Sequence, residues 1–342
     1  MKRSSKIQVA VIGLGYWGPN LVRNFHRIGK SRLKAVCDLK SKRLDHIKSL
    51  YPDIHTTCTY TDILNNQDID AVCIATPVSS HYSIAKKALE NKKHVLVEKP
   101  LTDSSKKALK LIDIAKKNKV VLMVGHTFLY NEAVKKIKSI LTNKELGNIY
   151  YISMERLNLG LFQKDINVVW DLAPHDISIL EYIIEKKPTA VSAIGKANVY
   201  KSVHDIAMIN LKFRGGITAH MRLSWTDPHK VRKMIIVGSK RMLVFDDIKN
   251  TDKIKIYNKR VEIPSYYDTF EDFKFAYKDG KIKTPPIRDR EPLELQCAHF
   301  IQCIKQKQTP KSDGYNGLNV IKVIEAIQKS IKNNGHWEKI KW

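Results

Sequence analysis

Cysteine is scarce in this chain: five in 342 residues (Cys37, Cys58, Cys73, Cys297 and Cys303), an odd number with no C-x-x-C pair. That excludes a disulfide framework and argues for a reducing compartment. Cys37 and Cys73 lie in apolar, strand-like runs and read as core residues rather than ligands. Long apolar stretches are missing too; none approaches the ~18 residues that span a bilayer. The opening Met-Lys-Arg-Ser-Ser-Lys followed by an apolar run imitates an export signal, but it lacks a small-residue cleavage site and ends in a glycine turn. It reads as a buried first strand, and the protein is expected in the cytoplasm. Acidic residues are few: 34 against 60 Lys and Arg, a net charge of +26. Such a balance invites an anionic partner. The lysines, however, are scattered as pairs (Lys86–Lys87, Lys92–Lys93, Lys106–Lys107, Lys116–Lys117) on amphipathic segments. No zinc-finger or RNP-type pattern accompanies them. No specific nucleic-acid or membrane partner is expected, and no internal repeat or low-complexity tract is present.

What is present is a regular alternation of periods over the first 125 residues. Short apolar runs (Ile7–Ile12, Leu33–Asp38, Asp70–Thr76, His94–Glu98, Val120–Gly125) alternate with helical spacing (Pro19–Ile28, Leu39–Leu50, His81–Asn91, Ser104–Asn118). Near-continuous apolar strands joined by helices predict a parallel sheet covered on both faces, in a doubly wound α/β domain. The pattern then changes. Helices are predicted at Asn131–Thr142 and Asp171–Ile184. Longer strands follow at Ile149–Asn158, Ala190–Lys196, Asp205–Phe213, Ile217–Trp225, Val231–Gly238 and Met242–Asp246. Arg214-Gly215-Gly216 and Gly238-Ser239-Lys240 supply tight turns between them. Thr251–Lys283 reads as loop-rich, and Glu291–Gln306 and Gly317–Ile331 as late helices. The fold class is α/β: a Rossmann domain over residues 1–125, then an α+β domain over 126–342 with an open, mostly antiparallel sheet. The late helices are placed to pack back on the first domain.

Gly13-Leu14-Gly15-Tyr16-Trp17-Gly18 is a G-x-G-x-x-G between a strand and a helix, the context that gives the motif meaning. A pyrophosphate would rest on the helix N-terminus, where N–H groups and the dipole favour anions. Asp38 follows 20 residues after Gly18, where a carboxylate accepts ribose hydroxyls and opposes a 2′-phosphate. NAD is therefore preferred over NADP. Arg43 either faces solvent or stacks on adenine. Thr76 and Pro77, and Glu98, Lys99 and Pro100, end two further strands. Ligands bind beyond such carboxyl ends, so Tyr16, Trp17, Thr76, Pro77, His81, Glu98 and Lys99 join the expected cofactor contacts. The Lys99 amine would emerge at the crevice, able to stabilise an alkoxide. Asp171 and His175, four apart, share a helix face. Asp171 reads equally well as an N-cap, His175 as a packed histidine, and Pro174 as a first-turn proline. No third ligand stands near them at metal spacing, so no metal is expected. Arg156 is the preferred phosphate contact, with Tyr130, Asn158, Lys164 and Asn167 as further substrate candidates.

The succession GLGYWG, Asp38, IATPVSSH, VEKP and DLAPH resembles the glucose–fructose oxidoreductase/inositol dehydrogenase/rhizopine-catabolism (Gfo/Idh/MocA) family along nearly the whole chain. The resemblance implies a Rossmann domain followed by a sheet domain that forms dimers or tetramers. It also implies roles in catalysis for Lys99, Asp171 and His175. Ala173, Val168 and Val169 stand where relatives carry glycine. GYWGPN, VGHTFLYN and WDLAPHDISIL are similar to a subgroup of bacterial nucleotide-sugar metabolism. The implied reaction is NAD-dependent oxidation of a ring hydroxyl, such as C3 of a UDP-linked amino sugar or uronic acid. His175 would act as base and Lys99 would stabilise the alkoxide. The alternatives are a dehydrogenase of a free cyclitol or sugar, and a non-catalytic NAD-binding protein.

Overall fold

A computed structural model of the chain describes residues 6–160, 162–261 and 277–342. The chain divides into two compact units, one of residues 1–130 and 290–322, the other of residues 131–289 and 323–342.

The first unit is built on β1 (Ile7–Ile12), β2 (Ser31–Cys37), β3 (His55–Thr57), β4 (Ala71–Ile74), β5 (His94–Val97) and β6 (Leu122–Val124). The strands form one sheet in the order β3-β2-β1-β4-β5-β6, with every pairing parallel. The helices between them are α1 (Gly18–Arg27), α2 (Ser41–Leu50), α3 (Tyr60–Asn65), α4 (Val78–Glu90) and α5 (Ser105–Asn118). The central strands explain the continuous apolar runs. Val9, Ala10, Val11, Val72, Cys73, Val95 and Leu96 are fully buried because helices cover both faces. Each such valine or leucine contributes roughly 1.5–3 kcal/mol relative to exposure. The segment β3–α3 carried no clear period, being short and half-exposed. The chain runs outward from β1 to β3, then returns to β4 on the other side of β1. That reversal opens a crevice at the carboxyl ends of β1 and β4, where Gly13 and Thr76 lie. Residues 290–322 also belong to this unit. Helix α8 (Pro292–Gln306) packs its Phe300 edge-on against Phe25 of α1. Ser312 exchanges main-chain and side-chain hydrogen bonds with Val124 at the edge of β6.

The second unit contains α6 (Glu132–Thr142), β7 (Ile149–Leu159), α7 (Val168–Ile184), β8 (Pro188–Lys196), β9 (Ile206–Phe213) and β10 (Thr218–Ser224). It continues through β11 (Thr226–Gly238), β12 (Met242–Asp246), β13 (Ile254–Val261), β14 (Tyr277–Lys283) and, at the chain end, β15 (Glu338–Lys339). The sheet order is β14-β13-β12-β11-β7-β10-β9-β8-β15. Among the described residues only the β7–β10 pairing is parallel; the others are antiparallel. Gly215 and Gly216 take φ of +89° and +84° in the β9–β10 turn, a conformation side-chain-bearing residues avoid. Two strands, β13 and β14, replace the loop expected at 251–283, where many charged residues masked the strand pattern; residues 262–276 lie outside the described residues. Helix α9 (Gly314–Lys332) gives its first part to the first unit and Val323 onward to the second. The last residues close a sheet edge: β15 pairs with β8, and the Trp342 indole donates to the Pro188 carbonyl.

Candidate active site

The cofactor bend forms because β1 ends in glycines that tolerate extreme proximity. Gly13 has φ +96°, and a Cβ there would lie 2.6 Å from the Ala75 carbonyl oxygen. A Cβ on Gly18 would lie 2.1 Å from the Gly13 carbonyl oxygen. A Cβ on Gly15 would meet nothing within 4 Å, so its backbone faces open space. No side chain caps the start of α1, whose first N–H groups point along the dipole. Tight contacts at the outer glycines and an open middle one are what a pyrophosphate cradle requires, and the bend fits a dinucleotide. Tyr16 stands 86 % exposed on the bend, stacked on Trp17 with ring centroids 6.3 Å apart.

Asp38 follows β2 and is held from three sides. Its Oδ2 accepts from the Leu14 N–H at 2.7 Å and its Oδ1 from the Lys40 N–H at 2.9 Å. Arg43 Nη1 lies 3.2 Å from Oδ2, so Arg43 pairs with the carboxylate rather than pointing into solvent. Burial alone would push the Asp38 carboxyl up; the Lys40 and Leu14 N–H donors and Arg43 outweigh it and hold it below its usual range. A charged carboxylate fixed to the glycine bend opposes a 2′-phosphate.

Thr76 caps the crevice from β4, accepting from Ser80 Oγ at 2.7 Å, and exposed Pro77 precedes α4. His81 corrects an expectation. It is buried, with Nδ1 2.9 Å from the Pro100 carbonyl and Nε2 2.8 Å from the Thr76 carbonyl. Burial lowers its pKa, so the neutral ring has one N–H to donate to either carbonyl, and it lies between the two loops. The Lys99–Pro100 peptide is cis. Lys99 lies among buried groups that feel its ammonium. Burial pushes Glu98 up to about 7 against the opposing pull of Lys99, its N–H and the Trp17 indole. Burial pushes His126 down to about 4, with an Asn316 contact at 2.6 Å opposing and the Lys99 charge assisting. Among the described residues, Glu98 Oε1 and His126 Nε2 are buried without a hydrogen-bond partner. Neither His126 nor Asn316 was marked by the sequence; a histidine in an apolar strand end has no distinguishing pattern.

In the second unit α7 starts earlier than the spacing of Asp171 implied. Asn167 is the N-cap, its Oδ1 accepting from the Val169 and Trp170 N–H groups. Asp171 therefore is no cap, and Pro174 lies inside the helix rather than in its first turn. His175 sits beyond the first turn of the helix. Asp171 Oδ2 accepts from the Trp225 indole at 3.1 Å. The half-buried His175 is one turn further along the same face.

Several expected substrate contacts are structural. Arg156 is buried, giving Nε and Nη2 to Asp176 Oδ1 at 3.0 and 2.6 Å; it neutralises a buried carboxylate instead of presenting a fork to phosphate. Tyr130 is buried against Ser312, 3.2 Å away, and the His299 ring, and burial pushes its phenol up. Asn158 accepts from Arg232 Nη2 at 2.7 Å, and Asn167 is spent on its cap and on Gln328. Lys164 alone of this set is exposed, with its amine 5.6 Å from the Tyr200 ring. Sequence reasoning missed Asp176, Trp225 and Arg232. Arg232 is lowered to about 10 by burial and by the neighbouring Arg156 charge, against Asp176, Asp171 and Asp247. Among the described residues no group of three or more His, Cys, Asp or Glu could hold a metal.

Two family models match the chain. The oxidoreductase family with an NAD-binding Rossmann fold matches residues 7–126, and the GFO/IDH/MocA C-terminal domain matches residues 134–244. The chain is 24% identical to the UDP-N-acetylglucosamine 3-dehydrogenase of Acidithiobacillus ferrooxidans, over 95% of this chain and 97% of that protein. The solved structure of that enzyme has a TM-score of 0.80 and covers 97% of this chain and 99% of its own. The myo-inositol 2-dehydrogenase of Thermotoga maritima is 23% identical over 95% of this chain and 96% of its own. An Agrobacterium radiobacter oxidoreductase solved with NAD+, L-tartaric acid and magnesium has a TM-score of 0.81 at 17% identity, over 98% of both chains. With both halves matched in order, the chain belongs to the Gfo/Idh/MocA oxidoreductases and binds NAD.

Proposed function

We propose that this oxidoreductase acts on a ring hydroxyl, at C3, of a UDP-linked amino sugar or uronic acid. The observation that carries the reading is the Asp171–His175 face of α7, with Asp171 fixed by a buried indole. The kinship with a UDP-N-acetylglucosamine 3-dehydrogenase over the full chain supports the substrate class. NAD+, when bound, supplies the hydride acceptor. In this reading His175 takes the hydroxyl proton, Lys99 stabilises the developing alkoxide, and Asp171 orients the base. A positioned base contributes typically ~10²–10⁴-fold. Lys99→Ala and His175→Ala should each lower turnover at least about a hundredfold with NAD binding retained. Exposed Lys164 is assigned to the diphosphate. A second reading, oxidation of a free cyclitol, is favoured by the inositol dehydrogenase relative, which matches over an equal span.

The test is a screen of purified protein with NAD+ against UDP-N-acetylglucosamine, its uronic acid, myo-inositol and scyllo-inositol, following NADH absorbance. Turnover of the UDP-sugars alone supports the first reading, and turnover of the inositols alone replaces it with the second. We further assign self-association to the second sheet, on the face where Ile194, Met208 and Tyr151 are exposed. Met208→Lys, read by light scattering, should reduce the particle mass. The five free cysteines fit a reducing cytoplasm, and among the described residues no helix is long and apolar enough to cross a membrane.

A further inference from the structure

Trp225 sits where β10 gives way to β11. These two strands flank β7 on opposite sides, so the chain passes the end of β7 at this residue. The crossing is pinned by main-chain bonds: Trp225 N–H donates to the Asp205 carbonyl, and Gly160, just past β7, donates to the Trp225 carbonyl, each at 2.9 Å. The side chain is 1 % exposed, among the largest fully buried side chains. Phe162 meets it edge-on with centroids 5.8 Å apart. A Cβ on Gly160 would come within 2.9 Å of the indole Cδ1, so the glycine admits the ring. A residue needed only to fill this space could be Phe or Leu. The indole adds one thing they lack, a single N–H, and it is aimed at Asp171 Oδ2, 3.1 Å away.

We propose that Trp225 is a positioning residue that fixes the Asp171 carboxylate so that Asp171 can orient the chemistry on its helix face. A carboxylate on a helix has rotational freedom about χ1 and χ2, and only one orientation serves a neighbour one turn away. A rigid, buried donor removes that freedom before substrate arrives, which is how surrounding groups preorganise the residues that touch substrate. The inference rests on the proposed role of Asp171.

The experiment has two arms. In the first, the protein is labelled with 15N-tryptophan, and the Trp225 indole N–H is assigned among five tryptophans by Trp225→Phe. Should that variant not fold, Trp17→Phe, Trp170→Phe, Trp337→Phe and Trp342→Phe assign it by elimination. Asp171→Ala should shift this resonance while leaving those of Trp17, Trp337 and Trp342 in place; a resonance blind to Asp171→Ala overturns the proposal. In the second arm, Trp225→Phe should lower kcat roughly tenfold, as loss of a hydrogen bond to a charged group does, with KM for NAD+ unchanged. In an Asp171→Ala background, which has no acceptor for the indole, the same change should cost under about twofold, because nothing remains to position. Full multiplication of the two effects overturns the proposal. If UDP-N-acetylglucosamine and myo-inositol are both inert with the unmutated protein, the functional reading fails, and the first arm alone decides the positioning role.

Discussion

Replacing Asp176 by Asn should be among the most damaging single changes in the second unit. Asp176 and Arg156 are 2 % and 7 % exposed, so neither charge is shared with solvent. Two guanidinium nitrogens reach one carboxylate oxygen at 2.6 and 3.0 Å. Removing one partner of such a pair leaves an uncompensated buried charge, costing about 3–5 kcal/mol. Here the cost falls at the upper end. Arg232 lies close enough for Arg156 to lower its pKa, and Asp176 offsets that repulsion. With Asp176→Asn, two guanidinium groups would face each other across a neutral amide. For a domain of this size, roughly 2–4 °C in Tm per kcal/mol, a loss near the upper end corresponds to about 10–20 °C. Thermal melts followed by circular dichroism, with urea unfolding for the free energy, measure it. Arg156→Met combined with Asp176→Leu removes both charges and should recover most of the loss, because a buried pair is often no better than an apolar one. A loss under about 1 kcal/mol for Asp176→Asn, or a double variant as unstable as the single, would refute the reasoning.

Gly18→Ala should weaken NAD binding about 10–100-fold, since a Cβ 2.1 Å from the Gly13 carbonyl oxygen must force the bend open; quenching of tryptophan fluorescence by NADH reads it. Glu98 makes stability depend on pH in a defined direction. Its folded pKa, about 7, is raised above the usual 4.5 by burial. The folded state therefore binds its proton more tightly, and stability is lost as pH rises from about 4.5 towards 7. Glu98→Gln in the NAD-free protein should raise the urea midpoint at pH 8 and leave it unchanged near pH 4. An equal gain at both pH values would assign the effect to packing instead.

Much of the first unit was written in local periodicity. Strands buried on both faces must be apolar throughout, so β1, β2, β4 and β5 announce themselves, and the glycine bend follows because only glycine tolerates its contacts. Lys99 was legible for a related reason: a strand end followed by proline has few places to point. The Asp171–His175 pair was legible as a spacing of four, which any helix places on one face. The start of α7 was misplaced because Asn167, the cap of that helix, was read as a substrate contact. The strands β13 and β14 escaped because strands at and next to a sheet edge carry mixed polar and apolar residues.

What the sequence by itself determined is the order of elements and the chemical repertoire along the chain: a dinucleotide bend, a lysine, and an aspartate–histidine helix. Tertiary structure alone decided which polar groups serve chemistry and which serve the fold. Arg156, Tyr130, Asn158, Asn167 and His81 all carry groups able to bind a ligand. Each is claimed instead by a partner distant in sequence or by its own helix end. Burying a polar group stabilises only when it is paired, and that pairing is fixed by contacts between residues such as 156 and 176 or 171 and 225. No local pattern encodes such a meeting, because it depends on how strands and helices far apart in the chain pack together.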